Sequence, residues 1–147
     1  MNLLNDVKIS RVKAASAAGV TAVNSDGVDM QGFEEVTFLL AAQGITSGGV
    51  QSISLSQSDD DGSTDAYSAL LGTGITIADD DDNQTFALSV KNPQKRWVRL
   101  EIARATQNSA FSEIFALRTG AKQTPVDNNG ANTITSEAHN CPAEGAA

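Results

Sequence analysis

Apolar and polar residues alternate with period two along much of this chain. Val98, Leu100 and Ile102 alternate with Trp97, Arg99, Glu101 and Ala103, the cleanest amphipathic strand pattern present. Phe86, Leu88 and Val90 alternate in the same way with Thr85, Ala87 and Ser89, and Ile53 and Leu55 with Ser52, Ser54 and Ser56. Val36 to Leu40 is apolar on both faces, which predicts a strand in the middle of a sheet. Val7, Ile9 and Arg11 alternate with Lys8, Ser10 and Val12 as a first strand of mixed facing. The last predicted strand, residues 110–118, carries Phe111, Glu113, Phe115 and Leu117 on one parity and Ile114 and Ala116 on the other. A carboxylate on an apolar parity predicts a bulge there. No stretch sustains a helical period.

Turn chemistry separates these segments. Asn24-Ser25-Asp26-Gly27, Gly44 to Gly49, Ser58 to Asp65, Asp79 to Asn83 and Asn92-Pro93-Gln94 all read as turns or loops. Ala14 to Gly19 reads as small and flexible, and Tyr67 to Leu71 as ambiguous. Seven or eight short strands at close spacing predict an all-β fold, an antiparallel β-sandwich of jelly-roll type. The expected organisation is one sandwich domain over 1–121 and an extended or flexible C-terminal tail over 122–147, where the sequence turns polar, small and weakly patterned. A chain of 147 residues can bury such a core without staples.

Charge adds a direction to this picture. Net charge is −8, and residues 14–90 contain twelve Asp or Glu and no Lys or Arg. Lys91, Lys95, Arg96, Arg99, Arg104, Arg118 and Lys122 follow, and Lys8, Arg11 and Lys13 precede. An acidic balance argues against non-specific nucleic-acid binding and suits assembly through charge complementarity. No apolar run is long enough to cross a bilayer as a helix, and the first residues lack a signal-peptide pattern, so synthesis in a reducing cytoplasm without membrane contact is expected.

Candidate chemistry is sparse. Asp59–Asp61 and Asp79–Asp82 are the places where a hard cation would look for carboxylate oxygens. The first run approaches an EF-hand loop through Asp59, Asp61 and Gly62. Gln57 stands at its first ligand position, however, and Ser68 where the closing glutamate belongs. Solvated acidic loops are the expectation, with no metal. His139 and Cys141 lie two residues apart in the tail, without a third orienting group, so no Cys–His dyad is expected. No phosphate-binding glycine loop, dinucleotide fingerprint or nucleophile elbow occurs. The expectation is a binding protein with no catalytic residues and no cofactor. Arg96, Trp97, Arg99 and Arg104 are its candidate interface residues, an aromatic among arginines on one strand being a common interface anchor.

Several segments carry a resemblance. DMQGFEEVTFLL from Asp29 to Leu40, the Gln57-Ser58-Asp59-Asp60 turn, GTGITIADDDDNQ, KRWVRLEIAR, TPV and SEAHNCPAEG together resemble small head-module proteins of tailed bacteriophages, capsid decoration or cement proteins in particular. The resemblance implies a virion protein on the capsid exterior that binds the major capsid protein and stabilises the shell, often as a homotrimer. A head–tail connector, neck or tail protein of the same virion is the alternative it leaves open, and a carbohydrate-binding module is a more distant one. In the decoration reading Arg96, Arg99 and Arg104 of the basic strand meet an acidic surface of the capsid or of a neighbouring subunit, and the acidic loops face solvent.

Overall fold

The computed structural model describes residues 2–130, 133–141 and 143–145. A four-residue helix, α1 (Leu3–Asp6), starts at Asn2, whose side chain accepts a hydrogen bond from the Leu4 N–H. Twelve strands follow: β1 (Lys8–Lys13), β2 (Ser16–Gly19), β3 (Val23–Asn24), β4 (Val28–Asp29), β5 (Glu35–Ile45), β6 (Val50–Ser58), β7 (Ser68–Ala69), β8 (Ile75–Ile77), β9 (Thr85–Lys91), β10 (Trp97–Ala105), β11 (Ser109–Phe111) and β12 (Ile114–Thr119).

They form two antiparallel six-stranded sheets. One runs β1-β12-β5-β11-β2, with β9 also paired to β5; the other runs β3-β10-β6-β7, with β4 also on β10 and β8 also on β6. With β3–β4, β7–β8 and β11–β12 each taken as one interrupted strand, and β2 set apart, the chain orders them first–eighth–third–sixth in one sheet and second–seventh–fourth–fifth in the other. That is jelly-roll connectivity, as the strand spacing predicts. Its connections step from sheet to sheet, so residues distant in sequence meet at each end of the sandwich.

The inward parities of the two sheets make one core. Phe38 and Val36 of β5, Ile53 and Leu55 of β6, and Val98, Leu100 and Ile102 of β10 are wholly enclosed, together with Phe111 and Ala116. The apolar run at Val36–Leu40 does lie centrally: β9 flanks β5 on one side, β12 and β11 on the other. The predicted bulge is also present. Register shifts between Ser109 and Phe111, and the last strand breaks into β11 and β12 around Ser112 and Glu113. Ser112 bridges the break, its N–H bonding the Ala41 carbonyl and its hydroxyl accepting from the Ala41 N–H. This lets Glu113 leave the apolar parity and pair with Arg11 at 3.0 Å.

Two segments depart from the sequence pattern. Ala14 to Gly19, read as flexible, contains β2, an edge strand held on β11. Alanine and glycine give no period-two signal, so only pairing reveals it. The first part of the segment from Lys122 is anchored to the N-terminal residues. The Val126 N–H bonds the Asn5 carbonyl, and Asn128 is buried. Ala131, Asn132, Pro142, Ala146 and Ala147 of that segment lie outside the described residues.

Candidate interaction surface

At one end of the sandwich, the basic end, Lys8, Lys95, Arg96, Arg118 and Lys122 gather, interleaved with the carboxylates of Asp29, Asp59, Asp65 and Asp127. There β10 begins, β12 finishes, and the loop from Met30 to Phe33 projects between two depressions. The larger, about 600 Å³, lies between this loop and the C-terminal segment, with Lys8, Lys122 and Pro125 on its walls. The smaller, about 420 Å³, is lined by Pro93, Gln94, Lys95 and Arg96 on its far side, and Gln31 and Phe33 form the partition between the two. The loop has this shape because Gly32 adopts φ +88°, the left-handed region open to glycine. The Met30 N–H bonds the Arg96 carbonyl, and the Lys122 N–H bonds the Gly32 carbonyl, so both walls are tied to the partition.

Behind Phe33 sits Arg118, its guanidinium 4.9 Å from the ring centroid. Arg118 donates to the Asp29 carbonyl at 2.7 Å and to Ser10 Oγ at 3.1 Å, and burial pushes its pKa below the usual guanidinium range. Nearer solvent, Lys95 bridges Asp65 at 2.5 Å and Asp59 at 3.6 Å, and the Asp65 carboxylate raises the lysine's pKa. Arg96 forks onto Asp29 through Nε at 2.8 Å and Nη2 at 2.6 Å, which holds the Asp29 carboxyl below its ordinary range. Lys8 Nζ donates to the Asp127 carbonyl, and Lys122 makes no ion pair among the described residues.

The four residues singled out from sequence do not form one patch. Arg96 and Trp97 stand at this basic end, with the guanidinium 5.6 Å from the indole centroid and Trp97 half-buried. Arg99 lies on the outer face of its sheet, stacked 4.0 Å from the Tyr67 ring centroid and bonded to Glu101 at 2.6 Å. Arg104 is at the other end of β10, about 25 Å from Arg96 along an extended backbone. Its guanidinium donates to the carbonyls of Thr21, Ala17 and Ser109 and so fastens β2 to the sandwich. Each arginine therefore has partners within the chain.

The acidic runs are not merely solvated loops, and they do not share one face. In Ser58–Asp65, Asp60 accepts the Asp65 N–H at 3.1 Å and the Thr64 N–H at 2.8 Å. The first of these contributes most to holding its pKa at about 2. Asp61 accepts the Tyr67 hydroxyl at 2.5 Å, and burial with that bond drives the phenol's pKa well upward. This loop stands beside Lys95, at the basic end. The run Asp79–Asp82 lies at the opposite end, where Asp82 accepts the Ile45 N–H at 2.7 Å and Asp79 the Gly48 N–H at 2.5 Å. These carboxylates cap loop backbone, and among the described residues no three His, Cys, Asp or Glu converge as metal ligands. His139 Nε2 is 3.0 Å from Glu137 Oε2, both exposed, and Cys141 is exposed.

No protein-family model matches the chain, and no curated protein matches it in sequence. Among solved structures, the PBSX exported protein XepA is similar with a TM-score of 0.54 and 17% sequence identity, over 95% of this chain and 45% of that one. The likeness shows a shared β-sandwich. This chain thus spans less than half the length of that protein. The SPBc2 prophage-derived protein YomS is similar at a TM-score of 0.48 and 11% identity, over 81% of this chain and 98% of that one. The CBM22-1–GH10 modules of Clostridium thermocellum xylanase Xyn10B give a TM-score of 0.49 and 12% identity, over 82% of this chain and 26% of that one.

The basic end went unseen in sequence because its parts are dispersed. Lys8 and Lys122 come together only through the β1–β12 pairing and the returning C-terminal segment. The one local signal was Gly32-Phe33, an apolar ring just after a turn glycine.

Proposed function

We propose that this chain is a structural protein of a tailed-phage virion, a decoration protein that docks its basic end on an acidic area of the capsid exterior and stabilises the shell. The observation that carries this reading is the fold likeness, over 95% of the chain, to the phage-derived protein XepA. The basic end supplies the means. Lys8 and Lys122, which make no ion pair among the described residues, stand with Phe33 on the larger depression, an apolar anchor beside two cations open to a carboxylate partner. The major capsid protein is the proposed partner, and binding rather than turnover is the activity. Repetition over many copies makes individually modest contacts resist expansion of the shell.

Co-sedimentation with shells lacking the protein tests this. Lys8→Glu with Lys122→Glu should lower occupancy in a salt-dependent manner, while Asp80→Lys, a charge reversal at the opposite end that breaks no backbone cap, should leave it intact. Equal occupancy for wild type and the lysine double variant would reject docking through this end.

A further inference from the structure

Four of the sheet edges in this sandwich are short, capped or interrupted. β2 is a four-residue strand of Ser, Ala and Gly whose Ala17 carbonyl is taken by Arg104. The outer edge of β1 is covered by Asn128, which accepts the Ile9 N–H at 2.7 Å and donates to the Val7 carbonyl at 3.0 Å. The edges of the other sheet consist of β3, β4, β7 and β8, two or three residues each. These are the devices by which β-proteins avoid pairing with further strands.

β9 has none of them. It runs seven residues, TFALSVK, without proline or bulge, and among the described residues pairs only with β5. The Ala42 N–H bonds the Gln84 carbonyl and the Asn92 N–H bonds the Glu34 carbonyl, which fixes the alternation. Phe86, Leu88 and Val90 turn their backbone groups toward β5. Thr85, Ala87, Ser89 and Lys91 therefore point theirs away from the sheet, where no partner occurs among the described residues. The half-buried side chains of Phe86 and Val90 extend the core to this edge.

Charge selects the occupant. Asp79–Asp82 lies just before β9 and Lys91 ends it, and neither Asp80 nor Lys91 takes part in an ion pair among the described residues. We propose that the β9 edge is the contact between two copies of this chain, paired antiparallel about a two-fold axis near Ala87. That arrangement sets each Lys91 beside the other copy's Asp80–Asp82, and Phe86 opposite Leu88 on the inner face. Parallel pairing would put acid beside acid. An isologous contact of this kind closes after two copies, so the chain forms pairs where the resemblance to decoration proteins implied trimers. The inference is independent of the capsid reading, since it concerns another edge and another partner.

The test is the mass of the full chain in solution by light scattering across a dilution series. The wild type should be a dimer that dissociates on dilution. Ser89→Pro, which removes an outward N–H and no bond to β5, should be monomeric. Lys91→Glu should raise the dimer dissociation constant about three- to tenfold, and Lys91→Glu with Asp80→Lys should restore it. Thermal melts of each variant separate loss of pairing from loss of folding. A wild type that stays monomeric at every concentration, or an oligomer unmoved by both Ser89→Pro and Lys91→Glu, would overturn the inference.

Discussion

Asn128 and Ile9 are joined across almost the whole length of the chain: the Asn128 side-chain oxygen accepts the Ile9 N–H at 2.7 Å. The amide nitrogen donates to the carbonyls of Leu4 and Val7, both at 3.0 Å, and the residue is buried. One side chain thus satisfies three backbone groups of the N-terminal segment.

Asn128→Ala should therefore destabilise the protein by about 2–4 kcal/mol, because buried backbone groups lose their partners along with the hydrogen bonds. Equilibrium urea unfolding measures it. Amide exchange should accelerate first at residues 7–9. A change below about 0.5 kcal/mol would mean that water replaces the side chain.

Gly27 should tolerate no side chain. A Cβ built there overlaps the Asp61 carboxylate and the Tyr67 hydroxyl, so the turn must give way or that hydrogen bond must break. Gly27→Ala is expected to cost about 1–3 kcal/mol in unfolding free energy. In Gly27→Ala/Tyr67→Phe, with the hydroxyl gone, the further cost of alanine should shrink.

Acid should weaken the fold through the same loop. The Asp60 carboxyl is held at about 2 against an ordinary 3.8, chiefly by the Asp65 N–H. Asp65 is lowered by Lys95, and Asp29 by Arg96. A depressed carboxyl contributes stability that is full above its unfolded pKa and lost as pH falls through the folded one. For Asp60 the loss lies between pH 3.8 and about 2. Denaturant midpoints over that interval should fall with pH less steeply in Asp60→Asn than in the wild type.

Arg104→Ala should free β2 without unfolding the sandwich. Its guanidinium holds the carbonyls of Ala17, Thr21 and Ser109 at 2.6–2.9 Å, and Gly19 lies against the same group. Hydrogen exchange should rise sharply over residues 16–21 and stay unchanged in β10. Uniform protection would assign β2 its stability from β11 alone.

How far sequence sufficed depended on whether an element declared itself locally. β10 and β9 alternate cleanly because one face meets core and the other does not, and Glu113 announced a bulge by its placement among apolar neighbours. β2 gave no signal, since Ser-Ala-Ala-Gly has no apolar side to show. The acidic runs looked like solubilising loops because composition cannot tell a solvated carboxylate from one that caps backbone N–H groups, as Asp60 and Asp82 do. Asn128 was hidden in a polar segment, and the basic end was assembled from residues more than a hundred positions apart. The candidate arginines were visible by type, but their partners, Asp29, Glu101 and three carbonyls, depend on the topology.

Imaging of heads with and without this protein tests the central claim most directly. The account predicts added density at many equivalent positions on the outer shell, each copy oriented with the Lys8, Phe33 and Lys122 end against the capsid. Density confined to the neck or tail, or shells identical in the two samples, would contradict it.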